Sequence, residues 1–351
     1  MYGVRTEWVD LRDKAEKEEV EAFLERFDLI LDHDVDYTVV VREGSLQGDG
    51  QGNGIIATCS KAKNVLKCFA VAVEYRGEGI TSLLISTLID QLFSQGIGHC
   101  FIFTKPSNVH VFTGLNFKVI QQNADVALLE NGLYGIRQAL EKMKSNYGIG
   151  DGEKAALVMN CNPFTLGHYY LIEKAAKENN EVLVFIVEED QSLFPFSVRY
   201  DLVCRGVRSL KNVKVIPGGE YIISSATFPS YFLKEEGERL KAYVHLDASI
   251  FGRYFCPNFH ITKRYVGEEP NCRVTRAYNE ALKKVLPGFG AGVIEVPRKD
   301  SEGEVISASR VRELLRQKND LGKSEELRKL LPEVTLVFLE TEAGREIVQR
   351  G

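Results

Sequence analysis

No stretch of the chain approaches the roughly 18 uninterrupted apolar residues of a membrane-spanning helix, and the first residues lack the basic-then-apolar pattern of a signal peptide. A soluble, cytoplasmic protein with no membrane partner is expected. A basic stripe is missing too. Lysine and arginine number 44 against 49 aspartates and glutamates, a formal net charge of -5, so nucleic-acid binding has no electrostatic support. The seven cysteines (Cys59, Cys68, Cys100, Cys161, Cys204, Cys256, Cys272) are scattered, odd in number and include no Cys-x-x-Cys pair. Reduced structural thiols are the expected reading. A Walker A loop is absent. Leu321-Gly-Lys-Ser324 looks like the tail of one, but Gln317 stands where a glycine is required. What is present is an average soluble mixture, 44% hydrophobic and 26% charged, over 351 residues, a length that favours two domains.

Residues 1–132 read as one α+β unit. Val20, Phe23, Leu24 and Phe27 recur at helical spacing and predict a helix over 15–27. Strands are expected at 37–42, 54–59 and 65–73, the first two joined as a hairpin across the glycine-rich segment 44–54. The third strand runs into Glu74-Tyr-Arg-Gly-Glu-Gly-Ile-Thr81. A helix with Leu83, Leu84, Leu88 and Leu92 on its apolar face follows. By itself this is a plain glycine-rich turn before a helix. Another strand is expected at 99–104, then a short helix and turn over 108–117. Asp32, His33 and Asp34 are adjacent, and adjacent side chains seldom share one metal, so a solvated turn is expected there.

Residues 133–152 form a helix (Ile136, Leu140, Met143 on one face) and a linker, Gly148-Ile-Gly-Asp-Gly152. From 153 to 340 strand and helix patterns alternate, which predicts a Rossmann-like parallel sheet with crossover helices. The strands are placed at 155–159, 182–187, 243–247, 264–270 and 293–296. Helices are placed after Gly167, around Arg199 and over 271–286. Residues 341–351 are left as a tail.

Ligands of such sheets bind beyond the carboxyl ends of the strands. Two stretches fall there. Met159-Asn-Cys-Asn-Pro-Phe-Thr-Leu-Gly-His168 is a strand end, a proline-containing turn and a helix start, where free N–H groups and the helix dipole favour phosphate. Far downstream, Ile306-Ser-Ala-Ser-Arg-Val-Arg312 has Ser307 as a helix N-cap and Arg312 one turn into the helix, able to fork onto phosphate. Arg310 and Arg316 are expected to face solvent. The acidic run of the 188–196 loop is either a Mg²⁺ site or a solvated loop. Arg199 suits a phosphate or carboxylate contact, or a plain ion pair. Pro297-Arg-Lys299 brings cations that neutralise pyrophosphate or are simply exposed. Cys161 lies inside the first stretch, but no electropositive setting marks it as a reactive thiol.

Thr165-Leu-Gly-His168 resembles the His/Thr-x-Gly-His signature of the nucleotidylyltransferase superfamily. Ile306–Arg312 resembles its second signature, Ile-Ser-Ser-Thr-x-x-Arg, with Ala308 and Ser309 as departures. Met159 and Cys161 likewise replace the usual Gly and Phe. The resemblance implies an ATP site. Asn160, Cys161, Asn162, Pro163, Phe164, Gly167, Gly267, Ser307 and Ser309 would bind the nucleotide, and His168, Thr165 and Arg312 would act on the phosphates. Arg76-Gly-Glu-Gly-Ile-Thr81 is similar to the pyrophosphate-holding motif A of the GNAT acetyltransferases, with Thr81 departing. That likeness implies binding of a CoA-like arm by Arg76, Gly77, Gly79 and Thr81.

The two domains together, with Glu188-Glu-Asp-Gln-Ser-Leu-Phe-Pro-Phe196 and Arg264-Tyr-Val-Gly-Glu-Glu-Pro270, resemble the citrate lyase ligases as far as about Leu339. The family implies an ATP-dependent acid–thiol ligase. Acetate would become acetyl-adenylate and then acetylate the CoA-derived thiol of the citrate lyase acyl-carrier subunit, releasing AMP and pyrophosphate, with Mg²⁺ bridging the phosphates. Two alternatives stay open. One is another nucleotidylyltransferase acting on a phosphorylated small molecule. The other is a CoA-binding acetyltransferase or sensor. No metal ligand and no acetate pocket is assignable from the residues.

Overall fold

In the computed structural model the described residues are 5–43, 54–188, 192–222, 236–269, 273–298, 300–301, 304–317 and 325–350. The polar turn over 44–53, Glu189 and Asp190 of the acidic run, Cys272, Lys299 and the Walker-like 321–324 lie outside them. The chain divides into two compact units, Met1–Ile136 with Pro229–Ala242 and Arg137–Phe228 with Tyr243–Gly351.

The first unit runs β1 (Thr6–Val9), α1 (Lys14–Glu25), β2 (Tyr37–Arg42), β3 (Ile55–Ala62), β4 (Val65–Val71), α2 (Ile80–Ser94), β5 (His99–Thr104), α3 (Val109–Thr113), β6 (Lys118–Gln122) and β7 (Ala127–Gly132). The strands form one sheet in the order β1-β2-β3-β4-β5-β7-β6. Helix α1 begins because the Asp13 carboxylate accepts the N–H groups of Ala15 and Glu16, and it buries Val20, Phe23 and Leu24. The expected β2–β3 hairpin is present and antiparallel. Strands β4 and β5 are parallel and pair at Val65↔Phe101 and Leu66↔Ile102. Past that point their C-terminal halves line an opening. Asp32 is not in a solvated turn. It is buried, and with Asp34 it holds the buried Lys67 ammonium at 3.0 and 2.8 Å. A lysine inside the sheet keeps its charge only with such partners, and it claims both carboxylates.

The second unit contains α4 (Ile136–Asn146), β8 (Lys154–Met159), α5 (Leu166–Glu178), β9 (Val182–Ile186), α6 (Phe196–Gly206), β10 (Val213–Pro217), the part of α7 (Glu236–Ile250) from Tyr243 on, α8 (Cys256–Phe259), β11 (Ile261–Gly267), α9 (Arg273–Val285) and β12 (Gly292–Val296). Two short strands, β13 (Asp300–Ser301) and β14 (Glu304–Val305), precede α10 (Ala308–Gln317), α11 (Glu325–Leu330), α12 (Glu333–Glu340) and α13 (Glu342–Arg350). The glycine linker is clipped to the sheet where the buried Lys154 ammonium donates to the carbonyls of Gly150 and Gly152.

The sheet order is β10-β9-β8-β11-β12, all parallel. Strand β9, Val182-Leu-Val-Phe-Ile186, is buried throughout, as a strand covered on both faces must be. The chain winds outward from β8 to β10 and then returns to the other side of β8 with β11. The crevice between β8 and β11 is therefore the topological switch point, the usual ligand position in such sheets.

One expected strand is absent. Tyr243–Asp247 lies inside helix α7, which continues through a π turn (Phe251–Phe255) into α8. Val244, Leu246, Asp247, Ala248 and Ile250 are all buried, so no one-sided apolar stripe marks the helix. The alternation of Val244 and Leu246 with polar residues imitated the strand period of two. Packing decides instead. Phe251, Phe255 and Phe259 gather around Phe185 of β9, with ring centroids 6.3, 5.6 and 5.7 Å away. Residues 341–351 carry α13. Gly344 sits so close to the Phe338 carbonyl that a Cβ there would clash with it.

Candidate active site

The first half-site is the turn from β8 into α5. Cys161 takes a left-handed backbone (φ 53°), and the Asn162–Pro163 bond is cis. The turn is held from behind. The fully buried Arg199 guanidinium donates to the carbonyls of Phe194 (2.9 Å), Asn160 (2.7 Å) and Val187 (2.9 Å) and to the Asn160 side-chain oxygen (2.7 Å). Asn162 accepts the Phe194 N–H at 3.0 Å. Phe164 is fully buried, and its carbonyl accepts the buried Thr335 hydroxyl at 2.9 Å.

The Thr-x-Gly-His spacing has a local cause. Thr165 is the N-cap of α5 and His168 is its third helical residue. The His168 N–H reaches the Thr165 hydroxyl at 3.3 Å, and the Thr165 N–H donates to His168 Nδ1 at 3.1 Å. This is a capping box with histidine in the place of Glu or Gln. It also sets the tautomer. An Nδ1 that accepts carries no proton, so the neutral ring holds its proton on Nε2. Nε2 has no protein partner among the described residues, and His168 lines the cleft. Burial, and secondarily the charge of Arg298, pushes its pKa down to about 4. His168 is thus a neutral N–H donor at physiological pH. The ring's NMR resonances in the nucleotide-free protein are expected not to titrate between pH 7.5 and 5. A midpoint near the ordinary 6.5 would contradict this account. Because the folded value lies below the unfolded one, this residue's contribution to folding is present above pH 6.5 and is lost as pH falls toward 4.

The second half-site is the start of α10. Ser307 caps it, accepting the Arg310 N–H at 3.1 Å. The two half-sites touch at Gly167, where a Cβ would sit 3.2 Å from the Ile306 carbonyl oxygen. Glycine there serves the approach of the second stretch to the first. Arg312 ties them further, donating from Nη1 to the Asn162 carbonyl (2.6 Å) and from Nη2 to the Ser309 hydroxyl (3.1 Å). Arg310 pairs with Glu326 at 2.7 Å, and Arg316 is exposed.

One cleft of about 590 Å³ opens at the switch point. Of the residues singled out in the sequence, Asn160, Thr165, Gly167, His168, Gly267, Ser307 and Ser309 line it. Cys161, Asn162, Pro163, Phe164 and Arg312 do not line it; they form the turn behind it and the tie between its halves. The Cys161 thiol is buried, and burial raises its pKa. Arg298 is in the wall, donating to the Glu268 carbonyl at 2.7 Å and pairing with the Glu269 carboxylate. Among the described residues no group of three His, Cys, Asp or Glu side chains is arranged to hold a metal, and Glu188 accepts the Gly219 N–H.

Sequence reasoning missed Arg264, Tyr278 and Asn279, all in the cleft wall. Asn279 donates to the Gly267 carbonyl at 2.9 Å and fixes the end of β11. The available signal was an arginine inside a strand that must be central and covered on both faces.

The first unit has its own opening, of about 740 Å³, between the diverging ends of β4 and β5. It is lined by Arg76, Gly77, Gly79, Thr81, Ser82 and Lys105 among others. Gly77 and Gly79 have φ of 87° and 76°, which favour glycine and turn the chain into α2. Among the described residues no helix is long and apolar enough to cross a membrane. The described cysteines are all free.

Residues 154–339 match the family described as citrate lyase ligase C-terminal domain, and residues 4–116 match the acetyltransferase (GNAT) family. The citrate (pro-3S)-lyase ligase of Klebsiella pneumoniae is 36% identical over 334 residues, covering 94% of this chain and 94% of that protein. The same-named proteins of Haemophilus influenzae and Escherichia coli are 35% identical over 331 residues and 36% over 328. They cover 92% of this chain, and 94% and 90% of their own lengths.

Proposed function

The chain belongs to the citrate lyase ligase family, and from that premise we propose that it activates acetate with ATP and transfers the acetyl group to a thiol of citrate lyase. An acetate oxygen attacks the α-phosphorus of ATP, and the bond to the leaving pyrophosphate breaks, giving acetyl-adenylate. The carrier thiol then loses its proton, its sulfur attacks the acetyl carbon, and AMP departs. The acceptor is the CoA-derived prosthetic group on the acyl-carrier subunit, and the reaction is a cytoplasmic one.

The chemistry asks the protein for alignment and charge stabilisation. The observation that carries the reading is the convergence of two distant helix starts, at Thr165 and Ser307, on one cleft at the switch point. The His168 Nε2–H and the N–H groups of α5 stabilise the α- and β-phosphates as charge shifts onto the leaving group. Ser307, Ser309 and the start of α10 receive pyrophosphate. Arg312 holds the two half-sites together, its charge one turn from Ser309. Mg²⁺ enters on the ATP phosphates as part of the substrate and is held by phosphate oxygens and water, a common mode for this ion.

The opening beside Arg76 holds the CoA-like arm of the carrier. If so, Arg76→Ala raises the KM for the carrier subunit about tenfold, the worth of one charge-assisted contact, and leaves ATP–pyrophosphate exchange unchanged, since the first step does not use the arm. Equal losses in both steps would contradict that division. Mass spectrometry of deacetylated carrier subunit incubated with enzyme, ATP and acetate tests the whole reading. An acetylated prosthetic group with AMP and pyrophosphate is expected; ADP as product, or no acetylation, contradicts it.

A further inference from the structure

Arg264 stands in β11, the strand beside the switch point, and is 1% exposed. Its guanidinium lies 4.4 Å from the centroid of the Phe251 ring. Its Nε and Nη1 are buried without a hydrogen-bond partner. Among the described residues no carboxylate pairs with it; the neighbouring Asp247 is engaged by the Tyr278 hydroxyl at 2.5 Å. Burial lowers the pKa of Arg264, and the neighbouring Tyr278 hydroxyl and Asp247 carboxylate only partly offset that. Taking a cation out of water without a directly paired carboxylate is costly. The ring beneath offsets part of this. A stable sheet has no structural need for such a group, because a leucine of similar volume would fill the position without the cost.

Arg264 also lines the wall of the ATP cleft, together with Tyr278. It lies three residues before the carboxyl end of β11 at Gly267, roughly 10 Å down the strand. A triphosphate held at the two helix starts is already served there by backbone N–H groups and His168. A group set deeper, with two buried N–H donors that meet no acceptor and with aromatic walls beside it, suits a small anion whose oxygens accept from it.

We propose that Arg264 is the carboxylate-binding group of the cleft and holds the acetate anion against the α-phosphate of ATP. The proposal rests on the acetate-activating reading above. Acetate supplies the missing acceptors, its oxygens taking hydrogen bonds from the guanidinium. The Phe251 ring fixes the guanidinium from below. Tyr278 keeps Asp247 occupied, so that the protein's own carboxylate does not take the place of the substrate's.

The test is a titration of 13C-labelled acetate into the full-length protein saturated with α,β-methylene ATP, read by line broadening, which requires no turnover. Arg264→Met is expected to weaken acetate binding roughly 10- to 100-fold, the loss of charged hydrogen bonds. Affinity for the ATP analogue stays within about threefold. The melting temperature stays level or rises, because an unpaired buried cation has gone. Unchanged acetate affinity overturns the proposal. So does a parallel loss of acetate and analogue binding with a falling melting temperature, which marks a structural arginine. Arg264-dependent acetate binding without acetate-dependent pyrophosphate exchange would sink the reaction and leave the subsite. Exchange that ignores Arg264 would sink the subsite alone.

Discussion

Replacing His168 with alanine lowers acetate-dependent ATP–pyrophosphate exchange by about 10²–10³-fold, the loss typical when one preorganised donor is removed from a developing anion. The magnitude follows from how the ring is prepared. Both Thr165 contacts fall on Nδ1, so the ring enters the reaction already oriented, with its proton on the nitrogen that faces the cleft. Phe164 lies near-parallel to the ring (12°, centroids 6.2 Å apart) and limits its rotation. The substitution also deletes half of a capping box, which costs about 1 kcal/mol of stability. That is far too little to unfold the unit, so the protein stays folded while turnover collapses. A variant with near-normal exchange would remove His168 from the chemistry.

Arg199→Ala is expected to destabilise the second unit by about 3–5 kcal/mol, the range for breaking a buried, fully engaged charged group. In a unit of this size that is a fall of about 10 °C in melting temperature. Arg199 meets four oxygens at 2.7–2.9 Å, three of them main-chain carbonyls. Its removal takes the guanidinium donor from all four. Because two belong to Asn160, the turn that presents Thr165 and His168 loosens as well, and the KM for ATP rises. Arg199→Lys keeps the charge but not the fork, and recovers only part of the loss. A melting temperature within 2 °C of wild type, measured by calorimetry, would show that the staple is dispensable.

Arg199 also illustrates what the sequence made legible. Its position after the 188–196 loop was plain, but a phosphate contact, a carboxylate contact and an ion pair are all compatible with an arginine at a helix start. Only the fold shows that it spends its donors on carbonyls. The motif residues were easier, because a capping box and a helix N-cap are local and act over three or four residues. The meeting of Gly167 with Ile306 is not local, and spacing alone could not show that glycine is needed for that contact. Arg264 escaped for a related reason: its meaning depends on what does not pair with it, which only packing reveals. The strand expected at 243–247 failed where a helix is buried on several sides and loses the period that identifies it. The two kinds of fold, acetyltransferase-like and parallel-sheet, were readable because strand alternation and crossover helices are written in local pattern, whereas the glycine-rich 148–152 lies inside the second unit, which begins at Arg137.

The most direct measurement is ATP–pyrophosphate exchange by the purified protein, with and without acetate. Exchange that appears only when acetate is present is the predicted result, and it establishes acyl-adenylate formation. Absence of exchange with acetate, under conditions where ATP binds, would contradict the account, as would exchange supported instead by a phosphorylated small molecule.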